Sequence, residues 1–128
     1  MQNSTLEQAY QLIDQINSLL DSTQHLEDQF RDKIQKIDSK MNEFVTSYNA
    51  HSTLPTSEFV SYLNHDALSP LTVVVGYAEL FRSVYAQMLT IDDIHLLNHI
   101  CDSLRLLTEG LRDERNSMVA KRSKISSL

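Results

Sequence analysis

Glycine and proline are nearly missing from this chain, which has only 2 of each in 128 residues. Sheet-rich folds turn often, and glycine and proline supply much of that turn chemistry. Their scarcity argues for an all-α fold of a few long helices. There is 1 cysteine, Cys101, so no internal disulfide framework exists. It falls inside a predicted helix, where a lone cysteine serves as a small core residue. Basic charge is also short, with 11 Lys and Arg against 17 Asp and Glu, a net charge of -6 and a pI near 5.2. General nucleic-acid binding needs a basic footprint and is not expected. Lys121, Arg122 and Lys124 make a small basic tail, read as a solvated helix end that complements the helix dipole. No apolar run approaches the length needed to cross a bilayer. The opening residues MQNSTLEQAY lack the basic-then-apolar order of a secretory signal. The expected setting is cytoplasmic and reducing, with no membrane insertion.

What the chain does have is helical periodicity. With Leu6 as heptad position a, the a series is Leu6, Ile13, Leu20, Glu27, Ile34, Met41 and Tyr48. The d series is Ala9, Ile16, Thr23, Phe30, Ile37 and Phe44. Residues 1–50 therefore read as one long coiled-coil helix. Thr23 and Glu27 interrupt its apolar seam and mark either a local bend or a point where the helix folds back as a hairpin. Residues 51–56 are a break. Pro55 disfavours helix at Leu54, and Thr56 or Ser57 can cap the next helix.

Residues 57–121 read as a helical hairpin, with the tail 122–128 after it. Its first helix, 57–89, has Val60, Ala67, Val74, Phe81 and Met88 at a, and Leu63, Pro70, Tyr77 and Val84 at d. Tyr77 and Phe81 are expected in the core. Thr90 can cap the second helix, with Asp93 in the place of a capping-box acid. That helix carries Leu97, Ile100, Leu104, Leu107, Leu111 and Met118 as a stripe. One antiparallel pair cannot cover its own apolar stripe, so a homodimer forming a four-helix bundle is expected.

The segment Phe59 to Leu80, FVSYLNHDALSPLTVVVGYAEL, carries the candidate chemistry. The heptad frame puts His65 at position f, on an outward surface with Ser61, Ser69, Thr72, Gly76 and Glu79. Most of these are small or polar, and Gly76 leaves room for a partner's backbone. Asp66 can accept the proton of one ring nitrogen, which fixes the tautomer and leaves the other lone pair free for attack. The Ser69 hydroxyl can orient a water or a phosphoryl oxygen. Pro70 removes the donor that would bond the carbonyl of Asp66, so a bend beside His65 is expected. His95 and His99 stand four apart on a helix, a spacing that can ligate a metal. No cysteine or carboxylate set completes a site there, and a solvated or packing role is expected instead.

The run His65-Asp66-Ala67-Leu68-Ser69-Pro70-Leu71-Thr72 resembles the H-box of sensor histidine kinases, usually His-Glu-Leu-Arg-Thr-Pro-Leu-Thr. Phe59 and Gly76-Tyr77-Ala78-Glu79-Leu80 extend the resemblance, and the helix pattern carries it over 56–118. The family's dimerisation and histidine phosphotransfer domain accepts phosphate on the histidine from ATP and passes it to an aspartate of a response regulator. The resemblance implies that His65 is the phosphoacceptor and Asp66 its acid/base partner. It also implies a homodimer, a response-regulator receiver domain as partner and a separate histidine kinase as possible donor. Some members also dephosphorylate the regulator through an acid-x-x-Thr/Asn pattern; here serine, Ser69, stands in the last place. Ala67 and Leu68 replace the usual Leu-Arg.

The ATP-binding domain that succeeds this hairpin in the kinases is absent from these 128 residues, and no Gly-rich phosphate loop occurs. The chain reads as a fragment of a larger kinase or as a stand-alone module, with the initial Met1 favouring a complete chain or an N-terminal piece. No cofactor is expected on the chain itself, and Mg²⁺ is expected on the receiver. Receiver docking is expected near His65, through Leu68, taken as exposed, and Ser61. The alternative is a non-catalytic dimeric adaptor that binds a receiver or a kinase through the same bundle.

Overall fold

The structure, a computed structural model, describes residues 4–126, with side chains through 120. The expected basic tail lies outside the described side chains. Helix α1 spans Ser4–Ser22, α2 Asp28–Ser52, α3 Thr56–His65, α4 Leu68–Tyr85 and α5 Ile91–Ser126, with a 3₁₀ turn Ala86–Met88 before α5. The described residues contain no strand, as the lack of turn formers implied.

The segment read as one helix is two. It folds back at Thr23–Glu27, where the sequence placed its weak links. Thr23 is fully buried, and its hydroxyl donates to the carbonyl of Leu19 (2.6 Å), the same acceptor its amide uses (3.0 Å). A β-branched residue bonding its own helix in this way closes the last turn. Glu27 is extended (φ -62°, ψ 151°), and its carbonyl receives the amides of Phe30 and Arg31 to start α2. The heptad phase shifts across this turn. In α1 the buried residues are Thr5, Ala9, Leu12, Ile16 and Leu19, while Leu6, Ile13 and Leu20 are only half-buried. In α2 the expected seam of Ile34, Ile37, Met41, Phe44 and Tyr48 is buried.

Helices α3 and α4 form one broken rod. Each of the four rods then packs on two neighbours: α1 on α2 and α5, and α4 on α2 and α5. One hydrophobic core runs through them, from Ala9 and Leu12 through Met41 and Val74 to Leu104 and Leu111. A single chain therefore covers most of the stripes that the sequence reading assigned to a seam between copies. Polar ties fix the direction of α1 against α5. Thr5 Oγ1 donates to Glu114 (2.9 Å) at one end, and Ser22 Oγ to Asp93 (2.5 Å) at the other. Tyr48 OH also donates to Glu114 (2.5 Å), so this carboxylate joins α1, α2 and α5.

Helix α5 begins as expected, with the Thr90 hydroxyl accepting the amide of Asp93 (3.2 Å). The carboxylate of Asp93 does not complete a capping box; it takes the Ser22 hydroxyl instead. At α3 the capping differs from expectation. Pro55 is the N-cap, without a side-chain bond, and its carbonyl receives Glu58 and Phe59.

Candidate functional site

The chain breaks immediately after His65, at Asp66 and Ala67. The amides of Asp66 (2.9 Å) and Ala67 (3.0 Å) both reach the carbonyl of Tyr62, so the second bond spans five residues. This is a wide turn of the π kind. The carbonyl of Asp66 receives only a long bond from the Ser69 amide (3.4 Å). Pro70 is the cause: a normal helix would bond that carbonyl to residue 70, and proline has no donor. Pro70 itself lies in the first turn of α4, where a missing donor costs little. The bend expected from the sequence is therefore a full helix break, with His65 at the end of one helix and the small face of the next beside it.

Of the outward set read from the sequence, Glu79 is half-buried and paired with Arg105 (2.6 Å); the others are exposed. Ser61, His65, Asp66, Ser69, Thr72 and Gly76 are all exposed, while Val60, Leu63, Ala67 and Val74 are buried. Among the described residues, neither ring nitrogen of His65 has a hydrogen-bond partner, and no ion pair joins it to Asp66. The acid is adjacent in sequence but not engaged with the imidazole. The Ser69 hydroxyl also has no partner among the described residues. The Thr72 hydroxyl is committed to the carbonyl of Leu68 (2.9 Å).

A Cβ built on Gly76 meets nothing within 4 Å. No described part of this chain requires glycine there, although glycine costs a helix about 0.5–1 kcal/mol relative to alanine.

Two expectations are corrected. Leu68 is half-buried and packs on the core, so it offers a partner little surface. Tyr77 is 40% exposed, not core; Phe81 alone of that pair is buried. Past the turn at Asp66 and Ala67 the buried positions of α4 are Leu71, Val74, Ala78 and Phe81, so the expected a positions Val74 and Phe81 stay buried while Leu71 and Ala78 take the place of the expected d positions. Tyr77 and Val84 of the expected d series are exposed, as is Met88 in the 3₁₀ turn.

The sequence reading missed a ring cluster one turn before His65. The rings of His51 and Tyr62 stack with centroids 4.0 Å apart and planes 6° apart. His51 Nδ1 lies 2.7 Å from the carbonyl of Ser47. Burial pushes the Tyr62 phenol up; Ser47 opposes this, without reaching hydrogen-bond geometry, and the charges of Asp66 and Glu114 add to the rise. No periodic signal links residues 51 and 62, because the pair forms only when α3 folds back along α2.

The described residues hold no group of three or more His, Cys, Asp or Glu placed for a metal, and no helix among them is long and apolar enough to cross a membrane. Comparison with protein-family models, curated proteins and solved structures finds no match to this chain.

Proposed function

We propose that this chain is a phosphohistidine carrier that exchanges a phosphoryl group between His65 and an aspartate of a receiver domain. The observation that carries the reading is an exposed imidazole at a helix break, with an acid next to it and the small residues Ser69 and Gly76 along the approach. A ring nitrogen of His65 attacks phosphorus in line. A nitrogen–phosphorus bond forms, the bond to the aspartyl oxygen breaks, and the carboxylate leaves with its electron pair. Asp66 takes up or shares the proton of the other ring nitrogen, and Mg²⁺ held by the receiver neutralises the moving charge. The reverse transfer uses the same groups. Such a partner belongs to the cytoplasm, and a histidine kinase is the upstream donor.

The carrier works as a single copy in this reading. Most of the apolar positions that suggested a homodimer are buried within one chain, while Tyr77, Val84 and Met88 stay exposed. A second reading, a non-catalytic adaptor for a receiver or kinase, draws support from the exposed apolar residues Tyr77 and Leu80 beyond the small face.

The test incubates the chain with radiolabelled phosphoreceivers. Label should appear on the chain, survive alkali, be lost in acid as a phosphoramidate is, and be absent from His65→Gln. Label that persists in His65→Gln, or no transfer from any receiver of a broad panel, refutes the carrier reading. Receiver binding that survives His65→Ala without transfer supports the adaptor.

A further inference from the structure

We propose that the groove between α2 and α4 binds an amphipathic helix of a partner protein, one whose apolar positions are flanked by carboxylates. The proposal goes beyond the phosphotransfer reading, because it holds whether His65 is a carrier or an idle residue.

Along the outward side of α4, Val73, Tyr77, Leu80 and Val84 are 39%, 40%, 58% and 54% exposed. Their spacing of four, three and four makes one continuous strip, about 16 Å long at the helical rise. Isolated exposed apolar residues are ordinary on any surface, whereas a contiguous strip marks an interaction face. The strip borders a groove of about 130 Å³ on its α2 side. Phe81 and Tyr85 floor this groove, their rings 5.1 Å apart, and Phe30 packs edge-on against Tyr85 (4.9 Å). The small face with His65, Ser69 and Gly76 lies beside the strip, so a helix in the groove brings its protein alongside the imidazole.

Charge selects the occupant. Lys33 and Lys36 are the charged side chains that line the groove, on a protein whose net charge is -6. Neither has an ion-pair partner among the described residues. An apolar floor with a basic edge fits a helix that lays leucine-like anchors at i, i+4, i+7 and i+11 into the groove and aims carboxylates at the lysines. A second copy pairing strip to strip does not meet this requirement. From Ser69 to Met88 the only acid is Glu79, and it is bound to Arg105 (2.6 Å).

The experiment uses fluorescence anisotropy with the full chain and two synthetic helical peptides. Both carry the same leucine strip; one is flanked by glutamates and the other by lysines. The glutamate peptide should bind about tenfold tighter than the lysine peptide, and Leu80→Asp should weaken it by about tenfold or more. The double variant Lys33→Glu/Lys36→Glu should reverse the preference. Leu80, Lys33 and Lys36 are exposed, so circular dichroism should confirm that each variant stays folded. His65→Gln should leave peptide binding unchanged, so that the two proposals fail separately. Equal affinity for both peptides, binding of neither, or a dimer in sedimentation that Leu80→Asp dissolves would overturn the proposal; the last outcome makes the strip a contact between copies.

Discussion

The tie between Ser22 and Asp93 gives the sharpest check on the folded-back architecture, because a continuous N-terminal helix offers no reason for these residues to meet. They are 71 positions apart, and the Ser22 hydroxyl lies 2.5 Å from a carboxylate that is 4% exposed. A hydrogen bond to a charged group contributes about 1.5–3 kcal/mol, and removing one partner also strands the other in the interior. Asp93 lies in the first turn of α5, where a negative charge gains about 0.3–1 kcal/mol from the helix dipole. Ser22→Ala should therefore destabilise the chain by about 2 kcal/mol, and Asp93→Ala by about 2–3 kcal/mol. The double variant should cost less than the sum, with a coupling of about 1–2 kcal/mol. Urea unfolding monitored by far-ultraviolet circular dichroism at constant pH measures all four corners of the cycle. For a chain of this size each kcal/mol moves the melting temperature by about 3–5 °C, so thermal scans give an independent reading. A coupling below about 0.3 kcal/mol, the level of distant independent sites, refutes the contact and with it the packing of α1 on α5.

Burial and charge set the remaining expected outcomes. Tyr77→Ser should change stability by no more than about 0.5 kcal/mol, whereas a core aromatic there would cost about 3–5 kcal/mol on truncation; denaturant midpoints separate the two. Gly76→Ala should stabilise α4 by about 0.5–1 kcal/mol, since a Cβ meets open space. The same substitution should slow phosphotransfer from a receiver if the small face is the approach, which a single-turnover assay reads. Thr90→Ala should cost about 1 kcal/mol through loss of the α5 cap. The Arg105 guanidinium, by hydrogen bond and charge, holds the Glu79 carboxyl below its ordinary value of 4.5. A lowered carboxyl pKa means that the pair's contribution is present above the unfolded value and fades as pH falls through the folded one. In an NMR titration, Arg105→Ala should move Glu79 back up toward the ordinary value.

Local physics on single helices was legible in the sequence. The lack of glycine and proline pointed to an all-helical chain, and Thr90 marked the start of α5. The outward set of Ser61, His65, Ser69, Thr72 and Gly76 came from spacing alone, because helical period assigns faces wherever a helix is regular. Pro70 announced a bend beside His65, though not the full break, since a missing donor acts on the carbonyl four residues earlier whatever the tertiary context. The apolar seam of α2 was also correct, as its phase is unbroken from Ile34 to Tyr48.

Only the tertiary structure decided the rest. The heptad pattern ran through Thr23 and Glu27, and nothing local chose between a bend and a hairpin. The choice came from the apolar stripe of α4 and α5, which α1 and α2 cover once the chain turns back. The exposure of Tyr77 depended on α4 burying Leu71, Val74, Ala78 and Phe81 against α2 and α5, a docking choice that heptad counting does not contain. The stacked rings of His51 and Tyr62 and the bond from Ser22 to Asp93 join residues on different helices, so they exist only once the rods have docked. The sequence, through local hydrogen bonding and period, determined that the chain is helical and that His65 faces outward. Burial of apolar surface between distant segments decided what packs against what, and left the strip along α4 facing outward.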